Sequence, residues 1–290
     1  MSALEGSMIY VLKPGDVGQE VRRLQDCLLV HVSGTYDSAT EQAVRDLQTA
    51  NGLVVDGQAG PQVLGHLGIY PHLGVDLSHY NTVLSWTELA AERPFIFFKA
   101  TEGVNNYDPT FWKNLENARN YKVKVVGAYH FAHLIEDPIK NAAHFLDLFA
   151  EGQAKGLISG RPVLDLESGG ASMSVASVQQ WALAWLTEVE AKCKTRPLLY
   201  TYLPFLMDRL GGGGPLTAYD LWCARYRGGR VVDPVGGNLT IGDFKTWLVY
   251  QYSAGDDGKR VAGMGVGKVD QNLLAGGDLN ALRGCIPDVQ

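Results

Sequence analysis

FIFFKATEGVNNYDPTFWKNLENARNYKVKVVGAYHF, residues 95–131, holds the unit from which the rest of the chain can be read. Its two ends, FIFFKA and VVGAYHF, are apolar runs of strand length. Between them, residues 109 to 121 read as a helix opening on Asp108-Pro109, an N-cap acid followed by a proline at the first helical position. Outward from this unit, eight runs of the same kind can be counted: LGVDL, FIFFKA, VVGAYHF, RPVLDLE, PLLYTY, DLWCARY, WLVYQY and GKVDQNL. Helical stretches follow the first five, at 86–92, 109–121, 138–154, 175–193 and 204–210, and the helices then stop. Continuous apolar runs suit strands covered on both faces, as in parallel sheets. The expected class is therefore α/β: an incomplete TIM-like (β/α)5β3 barrel whose last third lacks outer helices, with an open doubly wound sheet as the alternative.

Residues 9–68 have a different rhythm. In LKPGDVGQEVRRLQDCLL, Val17, Val21, Leu24 and Leu28 fall on one face of a helix. A second helix is expected to open at Ser38, with Glu41 closing a capping box and Ala43, Val44 and Leu47 facing inward. A third starts at Pro61, and glycines in GLVVDGQAGP serve the turns. The expectation is a small three-helix domain at 9–68 ahead of a barrel at 74–290.

Composition limits the function. The chain has 290 residues, a formal charge of −6 and 46% hydrophobic residues. No clustered Lys or Arg offers a nucleic-acid surface, and no apolar run approaches the roughly 18 residues of a membrane span. Cys27, Cys193, Cys223 and Cys285 are too far apart for paired metal ligands and read as reduced packing residues. His130, His133 and His144 match no common zinc spacing, and Gly211 to Gly214 lack the Lys-Ser/Thr of a phosphate loop. Neither metal nor cofactor is expected. The start MSALEGSMIY lacks the basic region and apolar core of a secretory signal.

In such barrels the reacting groups lie where strands run out, and four acids lie there. Asp165 and Glu167 of PVLDLES are i and i+2 on one strand, sharing a face with Cα atoms roughly 6.6 Å apart. Asp76 ends the first strand, Asp270 lies in the eighth, and barrel closure makes these two strands neighbours. Taken singly, Asp165 or Asp76 could be half of a scaffold ion pair with Lys99 or Arg225. Together they suit glycoside hydrolysis, in which one protonated carboxyl donates to the leaving oxygen and another group stabilises the cationic sugar. Tyr129, Trp222, Tyr226, Tyr250 and Tyr252 lie in or near strands and could present flat faces to a sugar, although core packing would use such rings equally well.

These residues also carry two resemblances. GDVGQEVRRLQDCL, GTYDSATEQAVRDLQTANGL and DGQAGPQVL resemble the peptidoglycan-binding domain of cell-wall hydrolases, with Leu47 in place of the usual phenylalanine. Asp56 and Gly57 are candidate contacts there. GVDLSHYN, FIFFKATEG, YDPTFWKNLENARN, VVGAYHFA, PVLDLE, LYTY, LWCARY and YQYS followed by VDQNLL resemble the glycoside hydrolase family 25 lysozymes over nearly all of 74–275. One departure is Asn81, where many members carry glutamine.

The second resemblance implies hydrolysis of the β-1,4 bond between N-acetylmuramic acid and N-acetylglucosamine, retaining and metal-independent. It makes Glu167 the general acid/base, Asp165 its partner, and Asp76 and Asp270 supporting acids of the floor. Glu102, Tyr129, Trp222, Tyr226, Tyr250 and Gln251 are the substrate-binding candidates. The expected partner is bacterial peptidoglycan. The expected setting is that of a monomeric phage endolysin held in the host cytoplasm until lysis, then acting at the wall. The alternative is an inactive wall-binding protein, which the full set of four acids disfavours. A metal-dependent deacetylase lacks its His-His-Asp constellation.

Overall fold

The computed structural model describes residues 11–67, 72–226, 241–255, 261–265, 267–275 and 278–284. Eight strands close into a barrel: β1 (Leu73–Leu77), β2 (Phe95–Glu102), β4 (Val125–Phe131), β5 (Pro162–Asp165), β6 (Leu198–Tyr202), β7 (Asp220–Ala224), β8 (Val249–Ser253) and β9 (Asp270–Leu274). A two-residue strand, β3 (Asn106–Tyr107), hangs on β2. Parallel pairing of β1 with β2 shuts the ring and excludes the open sheet. Neighbours are parallel from β1 through β2, β4, β5, β6 and β7 to β8, whereas β9 runs antiparallel to both β8 and β1.

Helices α4 (Trp86–Glu92), α5 (Phe111–Asn120), α6 (Pro138–Ala154), α7 (Val175–Cys193) and α8 (Leu203–Asp208) cover the earlier strands. Alternation along each strand divides the core in two. Ile96, Phe98, Leu164, Leu199 and Leu221 face outward onto Phe111, Leu115, Phe145, Phe149 and Leu186 of the helices. Phe95, Phe97, Val125, Val163, Leu198, Trp222, Val249 and Leu274 fill the barrel interior. Two glycines make room for the largest of these rings. A Cβ on Gly74 would stand 2.1 Å from Phe95, and one on Gly127 would stand 2.1 Å from Phe97.

Some helix starts differ from the expectation. Helix α5 begins at Phe111, because Asp108 spends its carboxylate elsewhere: Oδ1 accepts from Thr110 N and Oγ1, and Oδ2 accepts from His79 N. Asp137 does cap α6, accepting from Ile139 N and Lys140 N.

The small helical part holds α1 (Gln19–Cys27), α2 (Ser38–Ala50) and α3 (Pro61–His66). The cap of α2 is Asp37, which accepts from Thr40 N, while Glu41 pairs with Arg45 instead of closing a box. Val21 and Leu24 are buried, but Val17 precedes α1 and is exposed. Two buried glutamines hold the turns. Gln25 donates to Thr35 O and Thr40 Oγ1 and accepts from Gly34 N. Gln48 donates to Asp56 Oδ1 and accepts from Gly57 N. Asp56 and Gly57, candidate wall contacts, also serve the scaffold: Asp56 stays exposed, and Gly57 takes the left-handed φ of 70° that its turn requires.

This part docks where the barrel lacks outer helices. Gly65 of α3 lies against Leu73 of β1, and buried Gln62 donates to buried Gln271 of β9 at 3.1 Å. Of the cysteines, Cys27, Cys193 and Cys223 are free thiols, and Cys285 lies outside the described residues.

Candidate active site

Strand direction and period place the acids. On β5, Val163 and Asp165 point into the barrel and Leu164 points out, and Leu166 N continues the ladder onto Tyr200 O. Glu167 therefore follows Asp165 on the inner face. Asp76 is the fourth residue of β1 and stands in register with Asp270 across the antiparallel β1–β9 pair. The reversal of β9 brings its first residue, rather than its last, to the mouth. Asp76, Asp165, Glu167 and Asp270 all line one cleft with about 580 Å³ of empty space, part of it open to solvent. Tyr129, Trp222, Tyr200, Lys99, Phe131 and Tyr80 line it with them.

The floor is a hydrogen-bond network anchored on Asp76. Its Oδ2 accepts from Gln251 Nε2 at 2.8 Å and from Asn272 Nδ2 at 2.7 Å. Both amides are turned so that their oxygens remain as acceptors. Asn272 Oδ1 takes the Trp222 indole N–H at 3.0 Å, and Gln251 Oε1 takes the hydroxyls of Tyr200, at 2.9 Å, and of Tyr226. Each of these groups is held by at least one other, which suits a site whose geometry must persist while charge moves.

Burial governs the charge state. Loss of solvent pushes Asp76 up from 3.8 to about 6; its two amide hydrogen bonds oppose the rise, and the nearby Glu167 adds to it. Asp165 is raised well above the usual range by burial, then by Glu167 and Asp76, with Lys99 acting the other way. Its Oδ1 is buried without a hydrogen-bond partner. Glu167 is also raised by burial, against the opposing effects of the nearby Tyr200 hydroxyl and the charge of Lys99. Carboxyl groups so placed cannot all ionise together at neutral pH, so the cluster retains protons that it can donate.

The other expected residues fall in different places. Tyr129 and Trp222 line the cleft, with Trp222 almost fully buried as part of its floor. Gln251 and Tyr226 act on the site through the network beneath Asp76. Tyr250 points the other way: its ring packs in the outer core beside Trp247, and its hydroxyl reaches Arg225 O at 3.3 Å. Tyr252 also faces outward and donates to Gln271. Glu102 stands beyond the cleft wall, bonded to Lys99 and His133. Burial works to raise its carboxyl, but Lys99 and His133 outweigh that and hold it below the usual range.

The three histidines serve separate contacts. His130 is buried between Thr101 and Asn141, His133 bonds Glu102, and His144 bonds Asn106 O. Sequence reasoning missed Asn272, Tyr200 and Tyr80, and read Lys99 only as a scaffold partner of an acid. Asn272 carried a usable signal, because it lies two residues after Asp270 and so shares its face.

Comparison with known proteins places this geometry. Residues 75–260 match the glycosyl hydrolases family 25, and residues 16–67 match a peptidoglycan binding domain. Asp270 lies beyond the first match. Lysozyme M1 of Streptomyces globisporus is 29% identical over 212 residues, covering 70% of this chain and 67% of its own. The crystal structure of a bacterial lysozyme from Streptomyces coelicolor superposes with a TM-score of 0.59 at 26% identity, covering 73% of this chain and 94% of that one. The Clostridium perfringens spore cortex lytic enzyme SleM gives 0.62 at 26% identity, covering 73% and 69%. The match spans most of the chain and includes three of the four cleft acids: the protein belongs to family 25 of the glycosyl hydrolases and is a peptidoglycan hydrolase.

Proposed function

We propose that this enzyme is a muramidase that cleaves the β-1,4 bond between N-acetylmuramic acid and N-acetylglucosamine. The observation that carries the reading is the convergence of Asp76, Asp165, Glu167 and Asp270 on one cleft, with burial raising the first three. In this reading Glu167, which lies just past the end of β5 in the cleft, gives its proton to the leaving glycosidic oxygen and later takes one from water. Asp165, with its unpartnered Oδ1, orients the substrate's acetamido group. Asp76 and Asp270 hold negative potential beneath the sugar, and Tyr129 and Trp222 offer it ring surface. Family likeness supports retention at the anomeric carbon, and the proposed chemistry uses side chains alone.

The proposed division of labour gives residues 9–68 the binding of wall polymer and residues 74–290 the chemistry. Coupling of these two parts in one monomeric chain supports a lytic role, that of a phage endolysin kept in the host cytoplasm until lysis. Purified peptidoglycan digested in EDTA, reduced with borohydride and analysed by mass spectrometry should yield reduced muramic-acid ends. New ends at N-acetylglucosamine, or released peptides with intact glycan, would overturn the muramidase reading. For the biological role, bacteria expressing the chain should stay intact until their membrane is permeabilised and then lyse; lysis before permeabilisation contradicts it.

A further inference from the structure

Among the described residues lining the cleft, Lys99 is the sole cation. It leaves the inner face of β2 at the mouth, its side chain is mostly buried, and its ammonium stands 4.7 Å over the Phe131 ring. Asp165, on the same wall, has a buried oxygen with no partner. An ammonium free to choose would settle on that carboxylate, since an unpaired buried acid is costly and an ion pair relieves it. Lys99 instead bonds Glu102 Oε2 at 2.5 Å.

Glu102 is itself held from behind. Its Oε1 meets His133 Nε2 at 2.9 Å, and His133 Nδ1 lies 3.6 Å from Glu136 Oε1. Glu136 Oε2 accepts from Val104 N at 2.9 Å. The chain of contacts runs away from the cleft, from β2 into the loop after β4.

We propose that Glu102 is a positioning residue: backed by His133 and Glu136, it tethers the Lys99 ammonium toward the rim and keeps it off Asp165 and Glu167, so that the acid cluster retains its proton at neutral pH. This rests on the reading of Glu167 as the proton donor. The charged and titratable groups around that proton are Asp76, Asp270, Lys99, Tyr129, Asp165, Tyr200 and Tyr226, with Glu102, His133 and Glu136 behind Lys99. Of the acids among them, Glu102 alone bonds the ammonium directly.

The test is the pH dependence of kcat/KM on peptidoglycan for wild type, Glu102→Gln, Glu102→Asp, Lys99→Met and the double variant that combines Glu102→Gln with Lys99→Met. Loss of the protonated acid sets the alkaline limb. Glu102→Gln should move that limb to lower pH by roughly one pH unit, because the released ammonium approaches the cluster. Lys99→Met should move it to higher pH, and the double variant should follow Lys99→Met. Glu102→Asp, which keeps the charge, should leave the limb near wild type. A raised KM with an unmoved limb in Glu102→Gln would make Glu102 a sugar contact and overturn the proposal, as would shifts of the same sign in Glu102→Gln and Lys99→Met. An inactive wild type, or a Glu167→Gln variant as active as wild type, would overturn the underlying reading, and the inference with it.

Discussion

Asp76 lets the cost of the site be measured as stability. Its half-buried carboxyl accepts two amide N–H groups on Oδ2 and is pushed from 3.8 to about 6. A carboxyl whose pKa is raised by folding contributes stability that is fully present below the unfolded value and is lost as pH rises through the folded one. At 1.36 kcal/mol per pH unit, the rise from 3.8 to about 6 costs the folded state about 3 kcal/mol at pH 7.5 and less than about 1 kcal/mol at pH 4. Asp76→Asn keeps an oxygen for both amides and removes the ionisation. The variant should therefore be more stable than wild type by up to about 3 kcal/mol at pH 7.5, with the difference nearly gone at pH 4, while its activity falls. Urea unfolding of both proteins at the two pH values reads the difference, which includes the relief that Asp165 gains when its charged neighbour is removed. A variant equally stable or less stable than wild type at pH 7.5 would refute the claim that the site holds Asp76 against its own solvation.

Three further outcomes follow from the geometry. Gly127→Ala sets a methyl carbon 2.1 Å from the Phe97 ring and should destabilise the barrel by about 1–3 kcal/mol in denaturant unfolding, with Phe97→Leu in the same chain restoring part of the loss. Trp222→Phe strips the indole N–H from Asn272 Oδ1; leaving that buried oxygen unpaired should cost about 1–3 kcal/mol, and kcat should fall as Asp76 loses its fixed neighbour. Tyr250→Phe should leave kcat/KM unchanged because the ring faces away from the cleft, whereas Tyr200→Phe, which removes a hydroxyl from Gln251, should lower it.

Much of the fold was legible because parallel barrel strands, buried on both faces, read as apolar runs, and because helices such as α6 announce themselves with an Asp-Pro start. The same double burial hid other features. In WLVYQY both faces of the strand are apolar, so nothing in the pattern said that Val249 and Gln251 look inward while Tyr250 and Tyr252 look out. Strand direction is equally silent in composition, and the reversal of β9, which brings Asp270 and Asn272 to the mouth, had to come from the pairing. The pair Asp165 and Glu167 was legible because a period of two is a geometric certainty on a strand. The second role of Asp108, as acceptor for His79 twenty-nine residues upstream, was not, because a tertiary contact displaced the local helix cap.

If Glu167 supplies a proton to the leaving oxygen, losing it must cost most where the leaving group needs that proton. Wild type and Glu167→Gln should be compared on peptidoglycan, whose sugar leaving group needs that proton, and on a nitrophenyl β-glycoside of N-acetylmuramic acid, whose leaving group departs without it. The account predicts a loss of about 10²–10⁴-fold on peptidoglycan and a far smaller loss on the aryl glycoside. An equal loss on both substrates would contradict it and assign Glu167 to binding or structure instead.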